Sequence, residues 1–189
     1  TAMGYEAKLK NARLHYFMSN FDLAKAHLDI LKRSTTKEIA NDALDLSLFI
    51  ETNTMGDSNE LGLMEYASIS LLMYQNRFDE AREKLEILTN TQLGHPIRDD
   101  GFWLLAKLDK RMGKYHEALE SLNILISEYS EGVLGDDALF MKAQILEEYL
   151  DKTSEAQQVY RQFLEDFPGS AYAVEARRRF RILRGDGLN

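Results

Sequence analysis

Tyr115-His116-Glu117-Ala118 decides how this chain reads, because the same phrase returns as Phe21-Asp22-Leu23-Ala24 and Phe78-Asp79-Glu80-Ala81. Each time an aromatic is followed three residues later by an alanine that opens an apolar run. Thr153-Ser154-Glu155-Ala156 is a degenerate fourth copy. The four alanines stand 57, 37 and 38 residues apart. Self-similarity at a fixed period of about 20 to 50 residues marks a stacked array of one supersecondary unit.

Each phrase lies between two helical patterns. Upstream of Ala118, the residues Phe102, Leu105, Ala106 and the run from Leu108 to Met112 recur at helical spacing. Gly113 ends that helix, since glycine tolerates the left-handed conformation common just past a helix C-terminus. Downstream, Leu119, Leu122, Leu125 and Ile126 mark the partner helix. In the last copy it runs through Val159, Tyr160, Phe163, Leu164 and Phe167, and stops at Pro168-Gly169. The small side chains of Ala24, Ala81, Ala118 and Ala156 let paired helices approach closely.

These residues resemble the tetratricopeptide repeat (TPR) family. Phe102, Leu105, Ala106, Gly113, Tyr115, Ala118 and Leu122 stand where that motif has its aromatic, leucine, small residue, glycine, aromatic, alanine and large residue. Ala156, Tyr160 and Pro168 do the same at the end of the fourth copy. The match departs at Leu125, where a small residue is usual. It also departs at Leu150-Asp151-Lys152-Thr153, which replaces the glycine turn with one extra residue. Asp136 to Phe140 together with Phe167-Pro168-Gly169-Ser170 looks like the variant common in bacterial cell-envelope proteins. The whole chain is similar to the C-terminal part of larger bacterial TPR proteins. The resemblance implies an all-α fold, an α-α superhelix of the right-handed TPR-like solenoid kind, and a bacterial envelope (periplasmic) setting.

The 57-residue gap between Ala24 and Ala81 exceeds one repeat by about one helix and its loop. The surplus is Thr36 to Glu51, where Ile39, Ala43, Leu46 and Ile50 share a face. The turn-rich linker from Thr52 to Asn59 follows. An odd helix in an alternating stack is expected to interrupt the repeat phase. The pattern predicts ten helices, at 4–19, 21–34, 36–51, 59–76, 78–90, 97–112, 115–130, 134–150, 153–167 and 170–184. They group into one domain over 1–189, with a first hairpin (1–34), the extra helix and linker (36–60), three repeats (61–169) and a capping helix (170–184). Ala173, Ala176, Phe180 and Leu183 should face inward on that cap, because terminal repeats must cover exposed apolar surface.

Composition narrows the function. The 189 residues hold 23 Lys plus Arg against 31 Asp plus Glu, for a net charge of −8. That balance argues against nucleic acid as the main ligand, since phosphate binding needs a basic footprint. There is no cysteine, so disulfides and thiolate metal sites are excluded. No apolar run approaches the roughly 18 residues that span a bilayer, and direct membrane insertion is not expected. No basic segment followed by an apolar one opens the sequence. Gly4-Tyr5-Glu6-Ala7-Lys8 reads as helix at once, so a fragment of a larger protein is expected.

Catalytic chemistry finds little support. His15, His27, His95 and His116 are scattered, and none pairs with another at metal-ligand spacing. His116-Glu117 begins like a zinc-protease helix, but Glu120 stands where the second histidine belongs. Ser34-Thr35-Thr36-Lys37 matches Ser-x-x-Lys, without the companion motifs of that chemistry. No glycine-rich phosphate loop occurs. Asp99-Asp100 and Asp136-Asp137 fall at helix starts, where carboxylates cap free N–H groups and oppose the helix dipole. Arg177, Arg178, Arg179, Arg181 and Arg184 form the one basic cluster, best read as a solvated face near a helix C-terminus. Neither an enzyme, a cofactor nor a metal site is expected.

A non-catalytic scaffold that binds a protein or peptide segment is the expected function. The alternative is an assembly or docking subunit of a bacterial envelope complex, acting through another surface or as a homodimer. In a TPR the first helix of each pair lines the concave side. Aligning the copies on their alanines places Tyr66, Trp103 and Phe140 at one level. Ser70, Lys107 and Gln144 lie four residues on, with Tyr74, Arg111 and Glu148 a further four. Rings followed by mixed polar groups suit a peptide, and Lys107 with Arg111 would grip a carboxylate. The competing expectation is that these rings pack inward as core.

Overall fold

The computed structural model describes residues 2–33, 36–55, 60–129 and 132–186. Ser34 and Thr35 of the Ser-x-x-Lys match, and residues 56–59 of the linker, lie outside them. The described residues hold ten α-helices and no strand. These are α1 (Ala2–Phe17), α2 (Phe21–Leu31), α3 (Lys37–Thr54), α4 (Leu61–Tyr74), α5 (Phe78–Thr91), α6 (Ile97–Arg111), α7 (Tyr115–Glu128), α8 (Gly135–Glu148), α9 (Thr153–Asp166) and α10 (Ala173–Arg184). The fold is an all-α stack of repeating helix pairs. Each helix falls within three residues of its expected bounds at either end. The start of α10 slips from 170 to Ala173, because Ser170 turns the chain, its Oγ accepting the Tyr172 N–H at 3.2 Å.

One turn is used four times. Between α1 and α2, α4 and α5, α6 and α7, and α8 and α9, a single residue takes positive φ: Ser19 (59°), Asn76 (58°), Gly113 (75°) and Asp151 (53°). The residue after it, Asn20, Arg77, Lys114 or Lys152, has φ between −89° and −86° each time. The N–H of Asn20, Arg77 and Lys114 donates to the carbonyl five residues back, at 2.8, 2.9 and 2.8 Å. This closes the helix end and satisfies carbonyls that the helix leaves unpaired. Lys152 N–H reaches six residues back, to Leu146, at 2.8 Å. The extra residue of the fourth copy is thus absorbed in the last turn of α8. Only Gly113 adopts this conformation without steric cost.

The chain divides into two compact units, Thr1–Arg98 and Asp99–Asn189. In the first, α1 pairs with α2 and α4 with α5. The odd helix α3 packs mainly on α2 and more lightly on α1 and α4, while α4 also touches α1. Ala24, Leu28 and Leu31 of α2, Ala43 and Ile50 of α3, and Ala81 and Leu85 of α5 are fully buried. The buried stripe of α3 is Ala43, Ser47, Ile50 and Asn53; Ile39 and Leu46, expected on it, are only half-buried. Asn53 enters the interior because its amide donates to the Phe49 carbonyl at 3.0 Å. His15 and His27, expected to lie apart, stack at 5.3 Å with a 9° interplanar angle, because α1 and α2 fold back on each other. Among the described residues neither Nδ1 has a hydrogen-bond partner.

In the second unit two cores meet on α8. Phe102 and Ala106 of α6, Ala118, Leu122 and Leu125 of α7, and Ala138 and Ile145 of α8 form one. Leu139, Phe140, Ala143 and Leu146 of α8, with Ala156, Tyr160 and Phe163 of α9 and Ala173 and Ala176 of α10, form the other. Each fully buried large apolar side chain contributes about 1.5 to 3 kcal/mol. Phe180 and Leu183 pack at the edge of the second core, so α10 covers it as a cap must. A polar clasp fixes that cap. Arg179 reaches Glu147 at 2.9 Å, Glu148 at 2.6 Å and Glu175 at 2.8 Å, while the Tyr160 hydroxyl donates to Glu147 at 2.8 Å.

Candidate functional site

The first helix of each pair was expected to carry a ladder of rings and polar groups. In the second unit Trp103 on α6 is half-buried and Lys107, one turn on, is exposed. The Lys107 ammonium sits 5.2 Å from the Trp103 ring centroid, a cation–π contact worth about 0.5 to 1 kcal/mol at an exposed position. Burial lowers the Lys107 pKa, against the pull of Asp137 and Asp100. The Trp103 ring and the Lys107 ammonium therefore share one surface. Arg111 is exposed at the end of α6, and Lys110 lies 5.6 Å from the Tyr149 ring, which stacks on Tyr115 at 4.4 Å.

Phe140 does not belong to that surface. It is 7% exposed and packs among Tyr160 (6.0 Å), Phe163 (5.6 Å) and Tyr172 (4.7 Å, 9° between planes). Tyr172, from the turn before α10, lies flat on the ring, so the capping segment turns an expected groove ring into core. Gln144 remains half-buried on α8, and Glu148 is engaged by Arg179.

In the first unit the ladder is divided. Tyr66 is half-buried, with its ring 5.0 Å from Phe49 of the odd helix α3. Ser70 spends its hydroxyl on the Tyr66 carbonyl at 2.9 Å. Tyr74 stays 74% exposed and meets Phe17 at 5.7 Å. Two cavities flank α1. One, of about 330 Å³, is lined by Lys10, Arg13, Leu14 and Phe17 of α1 and by Leu71 and Tyr74 of α4, with the Asn11 amide. The other, of about 290 Å³, lies between α1 and α3, where Arg13 and Phe17 meet Asp42, Asp45 and Leu46. Of these wall residues the sequence marked only Tyr74 as a candidate site residue, and Leu46 as part of the inner face of the extra helix. The signal for the rest was a surplus of apolar residues on α1: Leu9, Ala12 and Tyr16 are buried, yet Leu14 and Phe17 remain on another face.

The acidic pairs act differently from N-caps. Asp99 and Asp136 lie inside the first turns of α6 and α8, accepting the next residue's N–H at 2.9 Å. The α8 pair also receives the turn that precedes α10: Ser170 Oγ donates to Asp136 and the Tyr172 hydroxyl to Asp137, both at 2.7 Å. The basic cluster of α10 is largely satisfied within the chain, Arg178 by Glu175 and both Arg181 and Arg184 by Asp186. Among the described residues no group of three or more metal-ligating side chains comes together, and no helix is long and apolar enough to cross a membrane. No catalytic constellation is assembled among them.

No curated protein matches the chain. The tetratricopeptide repeat family matches residues 100–132 and 137–170, which span α6 with α7 and α8 with α9. The chain therefore carries a TPR-like repeat motif, twice over, in its second unit.

Proposed function

We propose that this chain is a non-catalytic scaffold that binds a protein or peptide segment on the first-helix surface of its TPR-like repeats. The observation that carries this reading is the pairing of half-buried Trp103 with the Lys107 ammonium. It offers an apolar face and a cation at one place. Tryptophan is among the residues most enriched in the hot spots that dominate binding energy at protein interfaces. A TPR-like fold is in general a protein–protein interaction scaffold, and the absence of catalytic motifs among the described residues suits that role.

A second reading, docking within a larger assembly or as a dimer through another surface, draws support from α3. Leu44 and Leu48, one turn apart, are 43% and 51% exposed there. The bacterial envelope setting rests on the sequence resemblance alone.

Trp103 is the only tryptophan, so its emission reports directly on this surface. Partner captured from cell-envelope extract by the wild type should shift that emission on titration. Trp103→Ala should lose capture at least tenfold with an unchanged helical circular-dichroism spectrum. Equal capture by the variant would sink the reading.

A further inference from the structure

The cavity between α1 and α4 has an unusual wall for this chain. Among the described residues two cations, Lys10 and Arg13, one amide and four apolar or aromatic residues line it, and no carboxylate does, although acidic residues outnumber basic ones 31 to 23 overall. Arg13 is held from one side by Asp42 at 2.8 Å. Lys10 makes no ion pair among the described residues. The apolar wall is open to solvent, with Leu14 at 51% and Tyr74 at 74% exposure. From these features we infer that the α1–α4 cavity is a docking site for a linear protein segment carrying a large apolar side chain next to carboxylates. The inference rests on the scaffold reading and adds a second contact surface, outside the residues that match the repeat family, with a stated partner chemistry.

The physical case has three parts. A cavity of about 330 Å³ lies at the small end of the roughly 300 to 1,000 Å³ typical of ligand sites, which suits one anchoring side chain. Leu14, Phe17, Leu71 and Tyr74 lie outside the buried stripes of α1 (Leu9, Ala12, Tyr16) and α4 (Leu63, Ala67, Ile69, Leu72), so burying them against a guest gains transfer free energy without disturbing the core. Lys10 lies at the rim, where a carboxylate adjoining the anchor would meet an uncommitted ammonium in a charge-assisted hydrogen bond. A basic segment would face the Lys10 ammonium and the Arg13 guanidinium, of which only Arg13 has a carboxylate partner, Asp42.

The test uses the full chain and a randomised peptide-display library with leucine or phenylalanine fixed at the centre. Selected peptides should be enriched in Asp and Glu beside the anchor. Their binding should fall at least tenfold for Lys10→Glu and about fivefold for Tyr74→Ala, with wild-type thermal midpoints, and should be restored by Lys10→Arg. Enrichment in Lys and Arg, the absence of any enriched peptide, or full binding by both variants overturns the inference. Loss of binding in Trp103→Ala alone also overturns it, but leaves the scaffold reading standing. Self-association in sedimentation that Tyr74→Ala abolishes would assign the cavity to a second copy, and overturn it equally.

Discussion

The two units are built from the same hairpin and differ in what an extra helix does. In Asp99–Asn189 every hairpin is followed by a partner that covers it, and α10 closes the last. In Thr1–Arg98, α3 enters between the α1–α2 and α4–α5 hairpins and packs mainly on α2. It leaves α1 and α4 with apolar surface and two cavities beside α1. Regular stacking removes binding surface as efficiently as it builds a core, as the burial of Phe140 shows. Interruption leaves surface behind. The unit that departs from the repeat pattern is therefore where a second docking site is proposed.

The largest test of that contrast removes one core anchor from each unit. Phe163 on α9 and Ile50 on α3 are both fully buried. Phe163→Ala should cost about 3 to 5 kcal/mol and Ile50→Ala about 2 to 5 kcal/mol. Trp103 reports only on the second unit, whereas circular dichroism reports on all ten helices. Phe163→Ala should lower the fluorescence midpoint in denaturant. Ile50→Ala should lower the circular-dichroism midpoint and leave the fluorescence midpoint close to wild type. Equal shifts of both signals in both variants would dissolve the distinction between the units.

Most of the helical framework was legible in the sequence because apolar spacing and turn chemistry agreed. Ala24, Ala81, Ala118 and Ala156 marked closely packed positions, and all four are fully buried. The odd helix was legible too, because the 57-residue spacing could not otherwise be filled. The candidate site was less so. Whether a ring on a first helix faces solvent depends on what later segments lay upon it, and spacing within one helix does not contain that information. Tyr172 covers Phe140 and Phe49 meets Tyr66, while Trp103 stays half-buried. The pairing of His15 with His27 was missed for a related reason. It depends on how α1 and α2 are matched across their turn, not on ligand spacing within a helix.

The shared turn sharpens the comparison at a smaller scale. Gly113→Ala forces a Cβ into φ of +75°, where no other atom lies within 4 Å to obstruct it. The cost should be backbone strain alone, about 1 kcal/mol. Ser19→Gly, at φ 59°, should gain a few tenths of a kcal/mol, the relief of strain being partly offset by a freer unfolded chain. Urea midpoints of the two variants should move in opposite directions, one in each unit. A loss in both would mean that Ser19 contributes more through its side chain than it costs through its backbone.

The smallest effect concerns pH and the clasp that holds α10. Hydrogen bonds from Arg178 first and Arg179 second hold the Glu175 carboxyl at about 2, below the ordinary glutamate value. A depressed carboxyl pKa contributes stability that is fully present above the unfolded value, about 4.3. That contribution is lost as pH falls towards the folded value of about 2. The Glu175 side chain is 39% exposed, so solvent screening limits it to a few tenths of a kcal/mol, as for other surface ion pairs. The protection of the α10 amides, taken relative to the intrinsic exchange rate at each pH, should fall slightly between about pH 4.3 and pH 2 in the wild type, and Glu175→Gln should remove that part of the dependence. Arg179 would still reach Glu147 and Glu148 in the variant, at 2.9 and 2.6 Å, so the cap should stay docked at neutral pH. Undocking of α10 at neutral pH in Glu175→Gln would instead make the Glu175 arm the main support of the clasp. The cap of the second unit would then depend on one partly exposed ion pair.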